Sequence, residues 1–386
     1  MKYLTLETFK DFVCIGSDCS FTCCRDWKIT IDEETDRFYQ SVDGEMGERL
    51  KRCIQHENGE ARFILEEGDA RCPFLNEKGL CSIYINLGEE HLSNTCKYYP
   101  RYLFSIGDIC FAGVSISCPE TARFFLTHEE PLLIDYAETE DNADVDTNTD
   151  WEQFNYAIRT FSTAVSIAQN RDLSIKERIA LVILLVSGFQ ESVGEGRDPS
   201  SIIGLYSNPD YYSLILDQTG IKNCDLESKV SFVTGIISLF NDTKHLDTKL
   251  PELAEVIEYY AKPGNSSVDP ATWEKAFITS MSSDNEIWVE NVLVYILFKY
   301  FMKGLYEKNY LDEIMKGIVP VLYMSTCITA LYNVIHHEEP SKDYIITLVA
   351  RLSRIIEHNS SAGETVIGFF REQGFTDPGF VLRLIS

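Results

Sequence analysis

In the second half of the chain, apolar residues recur every three or four positions. Trp151, Phe154, Ile158, Phe161, Val165 and Ala168 fall on one stripe of a helix. Ser174 followed by Glu177 is a capping box ahead of an apolar run to Val186, and Ser283 with Glu286 repeats it before Ile287–Tyr306. Pro251 sits where proline opens a first turn, predicting a helix through Tyr260. The same spacing predicts helices over Leu311–Ile335, Lys342–His358 and Gly363–Gln373. No repeat of fixed period is visible, so the pattern describes an irregular helical domain.

The first 137 residues read differently. Glycine, cysteine and turn residues cut the sequence into short apolar runs such as Trp27–Ile31 and Ile109–Ile116. One stretch, Asp32–Ile54, predicts a helix, because Phe38, Val42, Met46, Leu50 and Ile54 keep helical spacing. Cys53 lies on that apolar face and reads as a packed thiol. Between the two halves, Glu138–Asp150 holds six acidic residues and no basic one, so it cannot bury apolar surface and reads as a solvated linker. The expected architecture is mostly α. A small irregular cysteine-rich metal or iron–sulfur domain (1–137) leads through the acidic linker (138–150) into an α-helical domain (151–386).

Charge narrows the partners. With 386 residues and a net charge of −26, the chain shows no basic patch able to neutralise phosphates. Nucleic acid and anionic membranes are therefore excluded as expected partners, while a lysine-rich protein would be steered favourably. The beginning, MKYLTLETFKDF, has acidic residues and no continuous apolar run, so no export signal is expected. Ile179–Val186 and Val292–Phe298 are far shorter than the roughly 18 residues of a membrane span. The expected compartment is cytoplasmic, where thiols stay reduced.

That compartment gives the cysteines their meaning. Ten of the chain's 12 cysteines lie at or before position 118. Reduced thiols at this density point to metal binding ahead of disulfides. They fall in three pieces: CIGSDCSFTCCRDW (Cys14, Cys19, Cys23 and Cys24, ending at Trp27), CPFLNEKGLCSIY running on to CKYYPR (Cys72, Cys81 and Cys96), and CPETAR (Cys118). Cys19 and Cys23, four apart, can aim at one centre. Cys24 adjoins Cys23, and its side chain must leave in another direction. Prolines directly after Cys72 and Cys118 fix the local chain, as suits a preformed ligand loop. Spacing leaves zinc and an iron–sulfur cluster equally open. Among the histidines, only His91 lies between the cysteine pieces as an outside candidate ligand.

The run CxxxxCxxxCC, the CPFLxxxGLCxIY piece and CxxYPR resemble the cysteine-rich zinc- or iron-chelating region shared by a broad bacterial group. Together with Trp27, Gly88–Glu89, SCPETAR and ENVLVYILFKY (Glu290–Tyr300), the chain resembles the flagellin lysine-N-methylase family. The resemblance is dense over residues 9–125, one motif wide near 290, and thin elsewhere. It implies methyl transfer from S-adenosylmethionine to lysines of flagellin, with an iron–sulfur cluster, a four-iron one, in the N-terminal region. It also implies that the helical domain helps to bind substrate.

The residues add conditions of their own. No GxGxxG follows a strand, and Gly194-Glu195-Gly196 after an apolar helix reads as a loop, so S-adenosylmethionine needs another route. A cluster held by three cysteines would leave one iron open to the cofactor's amino and carboxylate groups. Lysine is protonated at pH 7 and must lose a proton before it attacks. Glu290, Asn291, Glu120 and Asp26 are the candidate catalytic groups. Arg101, Arg123 and Trp27 are the candidate cofactor contacts. Two other classes remain open: a non-catalytic zinc-binding interaction protein, and an iron–sulfur redox or electron-transfer protein.

Overall fold

The structure, a computed structural model, describes residues 2–19, 21–68, 70–138, 149–218, 235, 250–261, 283–307, 309–358, 368–369, 371–372, 378–379 and 382. Most of the acidic linker, Cys224 and most of the helix expected over 363–373 lie outside the described residues.

Among the described residues, seven strands form two sheets near the beginning of the chain. β1 (Lys2–Leu6), β5 (Arg101–Ile106), β6 (Ile109–Val114) and β7 (Ile134–Glu138) make a four-stranded sheet in the order β5-β6-β1-β7. β1 runs parallel to β6 and antiparallel to β7. β2 (Thr30–Ile31), β3 (Ile54–Glu57) and β4 (Glu60–Phe63) make a smaller antiparallel sheet. Asn58-Gly59 turns β3 into β4 with positive φ at both residues, as a tight hairpin demands.

Two hydrophobic cores divide the molecule. The smaller gathers Ile29, Ile31, Tyr39, Leu50, Phe63, Phe74 and Ile83 beneath the small sheet, with Cys24, Cys53, Cys81 and Cys96 packed against it. The larger runs from Leu6, Phe111 and Phe125 through the helices to Leu352, so the four-stranded sheet packs on the helical part. Gly107, in the β5–β6 turn, has φ +58 and leaves no room for a Cβ, because the Trp151 ring would stand 2.5 Å away.

Most expected helices form where spacing places them. Trp151–Ala168, Ile175–Gly194, Pro251–Ala261 and Lys342–His358 are helical, and Ser174 with Glu177 closes a complete capping box. Two expectations change. The helix over 32–54 is two helices, Glu33–Ser41 and Gly44–Cys53. Val42 turns to extended backbone, and Gly47 sits so close to the Val42 carbonyl that a Cβ would overlap it at 1.8 Å. The second half of the pair folds back on the first, which keeps Phe38, Val42, Met46 and Leu50 on one core. The second change is an interruption in the helix expected over 311–335, which otherwise forms at its expected length. Tyr310–His336 is one apolar helical run, long enough to cross a membrane, yet 83% of its apolar window is buried within the protein. A π-helical stretch, Ile318–Tyr323, interrupts it around Pro320, whose missing N–H breaks the regular ladder.

The centre of the larger core is Ser283–Tyr300. Every residue from Trp288 to Met302 is buried, so this stretch is enclosed on all sides, its polar Glu290, Asn291 and Lys299 included. It packs against the Pro119–Thr127 helix that follows Cys118. The chemistry-bearing end of the cysteine pieces therefore rests directly on the helical core.

Candidate functional site

The cysteine pieces come together. The Cys24 carbonyl accepts from the Cys72 N–H at 2.7 Å, Phe74 and Ser82 join the 72–82 loop, and the Ser93 hydroxyl accepts from the Cys96 N–H at the start of Asn94–Tyr98. Cys24, Cys72, Cys81 and Cys96 lie close enough for the charge of one to be felt by others. Cys14, Cys19 and Cys118 form a second group in the same sense. No disulfide joins any described cysteine.

Burial sets the thiol chemistry. It pushes Cys72, Cys81 and Cys96 upward, Cys96 to about 12, and repulsion from the Cys24 thiolate adds to the rise. Cys19 and Cys118 are raised for the same first reason. Cys24 goes the other way, to about 7, because the Cys23 thiol donates to it, with Thr22, Arg354 and Arg71 assisting against burial. Cys23 rises correspondingly. Buried thiols that repel one another as thiolates call for a cation among them, and sulfur donors fit zinc or iron. As donors, then, the residues fit a metal centre. Among the described residues, no three His, Cys, Asp or Glu side chains converge as the ligands of a single ion.

Behind the thiols lies a polar network that ties them to the helices. The Trp27 indole N–H donates to the Cys23 carbonyl at 2.6 Å, and its ring packs 4.5 Å from His358 and 5.4 Å from Tyr99. Ser117, next to Cys118, lies 2.8 Å from His358 Nε2 and 3.1 Å from the Tyr99 hydroxyl. Ser115 lies 2.6 Å from Ser117 and donates to Glu357. Glu357 also accepts from Tyr295 and Ser353, each at 2.7 Å, and pairs with Lys299.

The ionisation states follow from this packing. Burial alone would raise Glu357, but the charges of Lys299 and His358, with hydrogen bonds from Lys299 and Ser115, hold it at about 2. Burial lowers Lys299 to about 8 and His358 to about 4, outweighing the pull of Glu357 in both. The Lys299 ammonium sits over Tyr102 at 4.6 Å and faces Tyr295 and Tyr300. His358 is thus a neutral ring at pH 7, wedged between the cysteine loop and a closed ion pair.

The residues singled out from sequence scatter around this centre. Trp27 is within it. Asp26 adopts φ +70, and its N–H donates to the Ala70 carbonyl, so the turn after Cys24 is fixed by backbone. Arg101 donates to the Phe12 carbonyl at 3.1 Å and covers the Phe12 ring. Arg123 is exposed and pairs with Asp343 at 2.6 Å and Glu120 at 3.4 Å. Glu290 is 1% exposed, its carboxylate taken by Arg178 at 2.6 Å and Arg171 at 3.0 Å. Asn291 donates to the Phe125 and His128 carbonyls, closing the end of Pro119–Thr127 away from Cys118. Outside the array, Cys53 packs against the smaller core and His91 stacks on Phe38 at 3.9 Å.

Sequence reasoning did not find Lys299, Arg354, Glu357, His358, Ser115 or Ser117. A signal exists for the helix residues. Arg354 and Glu357 continue the buried stripe of Ile346, Val349, Ala350 and Ser353 at intervals of three and four. Charged residues on a core-facing stripe require partners.

Comparison with known proteins finds relatives of this chain by sequence. A family model described as the FliB lysine N-methylase C-terminal domain matches residues 162–384. A flagellar biosynthetic protein FliU from Salmonella muenchen is 31% identical over 135 residues, covering 32% of this chain and 76% of the relative. Lysine-N-methylases from Salmonella typhimurium and Salmonella choleraesuis are each 30% identical over 131 residues, covering 32% of both partners. The match thus spans about a third of those two relatives. No solved structure matches.

Proposed function

The chain belongs to the FliB lysine N-methylase family, and from that premise we propose that it transfers a methyl group from S-adenosylmethionine to lysine side chains of a flagellar protein, flagellin, in the cytoplasm. The family match carries the reading; the thiol array supports it. In the proposed reaction the sulfonium C–S bond breaks and an N–C bond forms. The electron pair passes to sulfur, and the lysine nitrogen gives its proton to a nearby base or water. A net charge of −26 favours the approach of a lysine-bearing partner.

An iron–sulfur cluster would be held by ligands drawn from Cys14, Cys19, Cys23, Cys24, Cys72, Cys81, Cys96 and Cys118, whose thiols influence one another in two groups. Buried, mutually repelling thiols are soft donors that would suit either metal, and the family resemblance tips the choice to the cluster. When bound, such a group would supply an electrophilic site for the cofactor's amino and carboxylate groups. The chain's own contribution is positional: Trp27 caps the Cys23 carbonyl, and the Ser115–Ser117 segment fixes Cys118 against the helices.

The test is direct. Anaerobically purified protein, flagellin and methyl-labelled S-adenosylmethionine should give label on lysine, located by peptide mass spectrometry. Intact cofactor and unlabelled flagellin after incubation with loaded protein would overturn the reading. Colourless protein holding stoichiometric zinc would favour an interaction module instead.

A further inference from the structure

A buried charge beside the thiols belongs to the helical half. Arg354, on Lys342–His358, is 3% exposed. Its guanidinium donates to the Thr22 carbonyl at 3.0 Å and to the Phe21 and Ser117 carbonyls at 3.3 Å each. It also stacks over the Phe21 ring at 3.8 Å, and its Nε–H has no hydrogen-bond partner. Among the described residues no carboxylate comes within ion-pair distance of it. A buried cation satisfied only by neutral carbonyls is costly unless an anion completes its surroundings. The acidic groups that feel its charge are Cys19, Cys23, Cys24 and Tyr99.

The three carbonyls are informative. Phe21 and Thr22 directly precede Cys23 and Cys24, and Ser117 directly precedes Cys118. One side chain, more than 230 residues away in sequence, therefore clamps two cysteine segments at once. A planar fork suits this task, since its donors diverge at fixed angles.

We propose that Arg354 is a positioning residue and built-in counter-charge for an anionic thiolate centre, holding the 21–24 and 117–118 segments in register beneath it. An all-thiolate metal centre carries net negative charge, whether its metal is zinc or iron, so the guanidinium complements either. The metal arm of this inference rests on the thiol centre proposed above. The positional arm does not.

Two variants separate the arms. R354K keeps the charge and loses the fork; R354Q loses the charge and keeps one amide donor group. Hydrogen–deuterium exchange on the metal-free full chain should rise at 21–24 and 117–118 in R354Q and stay unchanged around Glu290. Zinc ion alone, competed against a chromophoric chelator under reducing conditions, should bind R354Q about 10-fold or more weakly, as for other groups that support metal ligands. R354K should recover most of that affinity. Unchanged exchange and affinity in R354Q would overturn the proposal, as would equal losses in both variants, because charge would then contribute nothing. Should R354Q fail to fold, R354K decides: zinc affinity close to wild type supports the proposal, and a folded R354K that no longer binds zinc contradicts it. Should the wild-type chain bind no zinc, iron and acid-labile sulfide retained after anaerobic purification become the readout, and R354Q retaining as much as wild type contradicts the counter-charge role.

Discussion

Arg178 and Arg354 are almost equally buried, at 2% and 3% exposure, but their electrostatic surroundings are opposite. Arg178 meets Glu290 at 2.6 Å and Glu286 at 3.2 Å, while Arg171 braces Glu290 from outside. That cluster is complete. It joins Ile175–Gly194 to Ser283–Tyr300 inside the larger core and has no charge left to offer. Arg354 meets carbonyls and thiols. The contrast separates a charge matched by carboxylates from one held by carbonyls alone, and the second lies at the cysteine face of the helical half.

The largest effect should come from breaking the complete cluster. Glu290→Ala leaves Arg178 buried without its nearest carboxylate and should cost about 3–5 kcal/mol of stability, read by urea denaturation. A loss below about 1 kcal/mol would mean that the cluster is not a brace, and the comparison with Arg354 would lose its reference point.

A smaller effect is expected on the acid side. The folded-state value of His358 is lowered to about 4 from the usual 6.5, so the unfolded chain takes up that proton first as pH falls. The neutral ring's contribution is present above pH 6.5 and is lost between 6.5 and 4. Glu357, held at about 2 against 4.5, contributes above pH 4.5 and loses its share below that, toward pH 2. His358→Gln should therefore flatten the pH dependence of stability between 7.5 and 4.5 by on the order of 2 kcal/mol, leaving the steeper fall below 4.5. Parallel curves for variant and wild type would show that the ring is not held neutral by this packing.

Much of the helical half was legible because its signals are local. The stripe in 151–168, the Ser174–Glu177 box and the 342–358 helix need only neighbours within a few turns. The break at Val42 was not legible, since the apolar spacing continues across it and only the close packing of Gly47 on Val42 reveals the fold-back. The cysteines could be read as a group from composition and spacing. Their support could not. Arg354, Glu357 and His358 look like an ordinary polar helix end until the Ser115–Cys118 segment, some 240 residues earlier, docks against them. Glu290 and Asn291 show the converse: polar residues inside an apolar run attract a chemical reading, and the structure adds partners the sequence did not show, Arg178 for Glu290 and the Phe125 carbonyl for Asn291.

The central claim is that the cysteine array is the seat of cofactor chemistry. Iron and acid-labile sulfide, measured on anaerobically purified protein, test it most directly. The account predicts both in the wild-type chain and in Cys53→Ser, whose thiol packs outside the array, and loss of both in Cys96→Ser. Wild-type protein containing neither iron nor sulfide, or Cys96→Ser retaining its full complement, would contradict it.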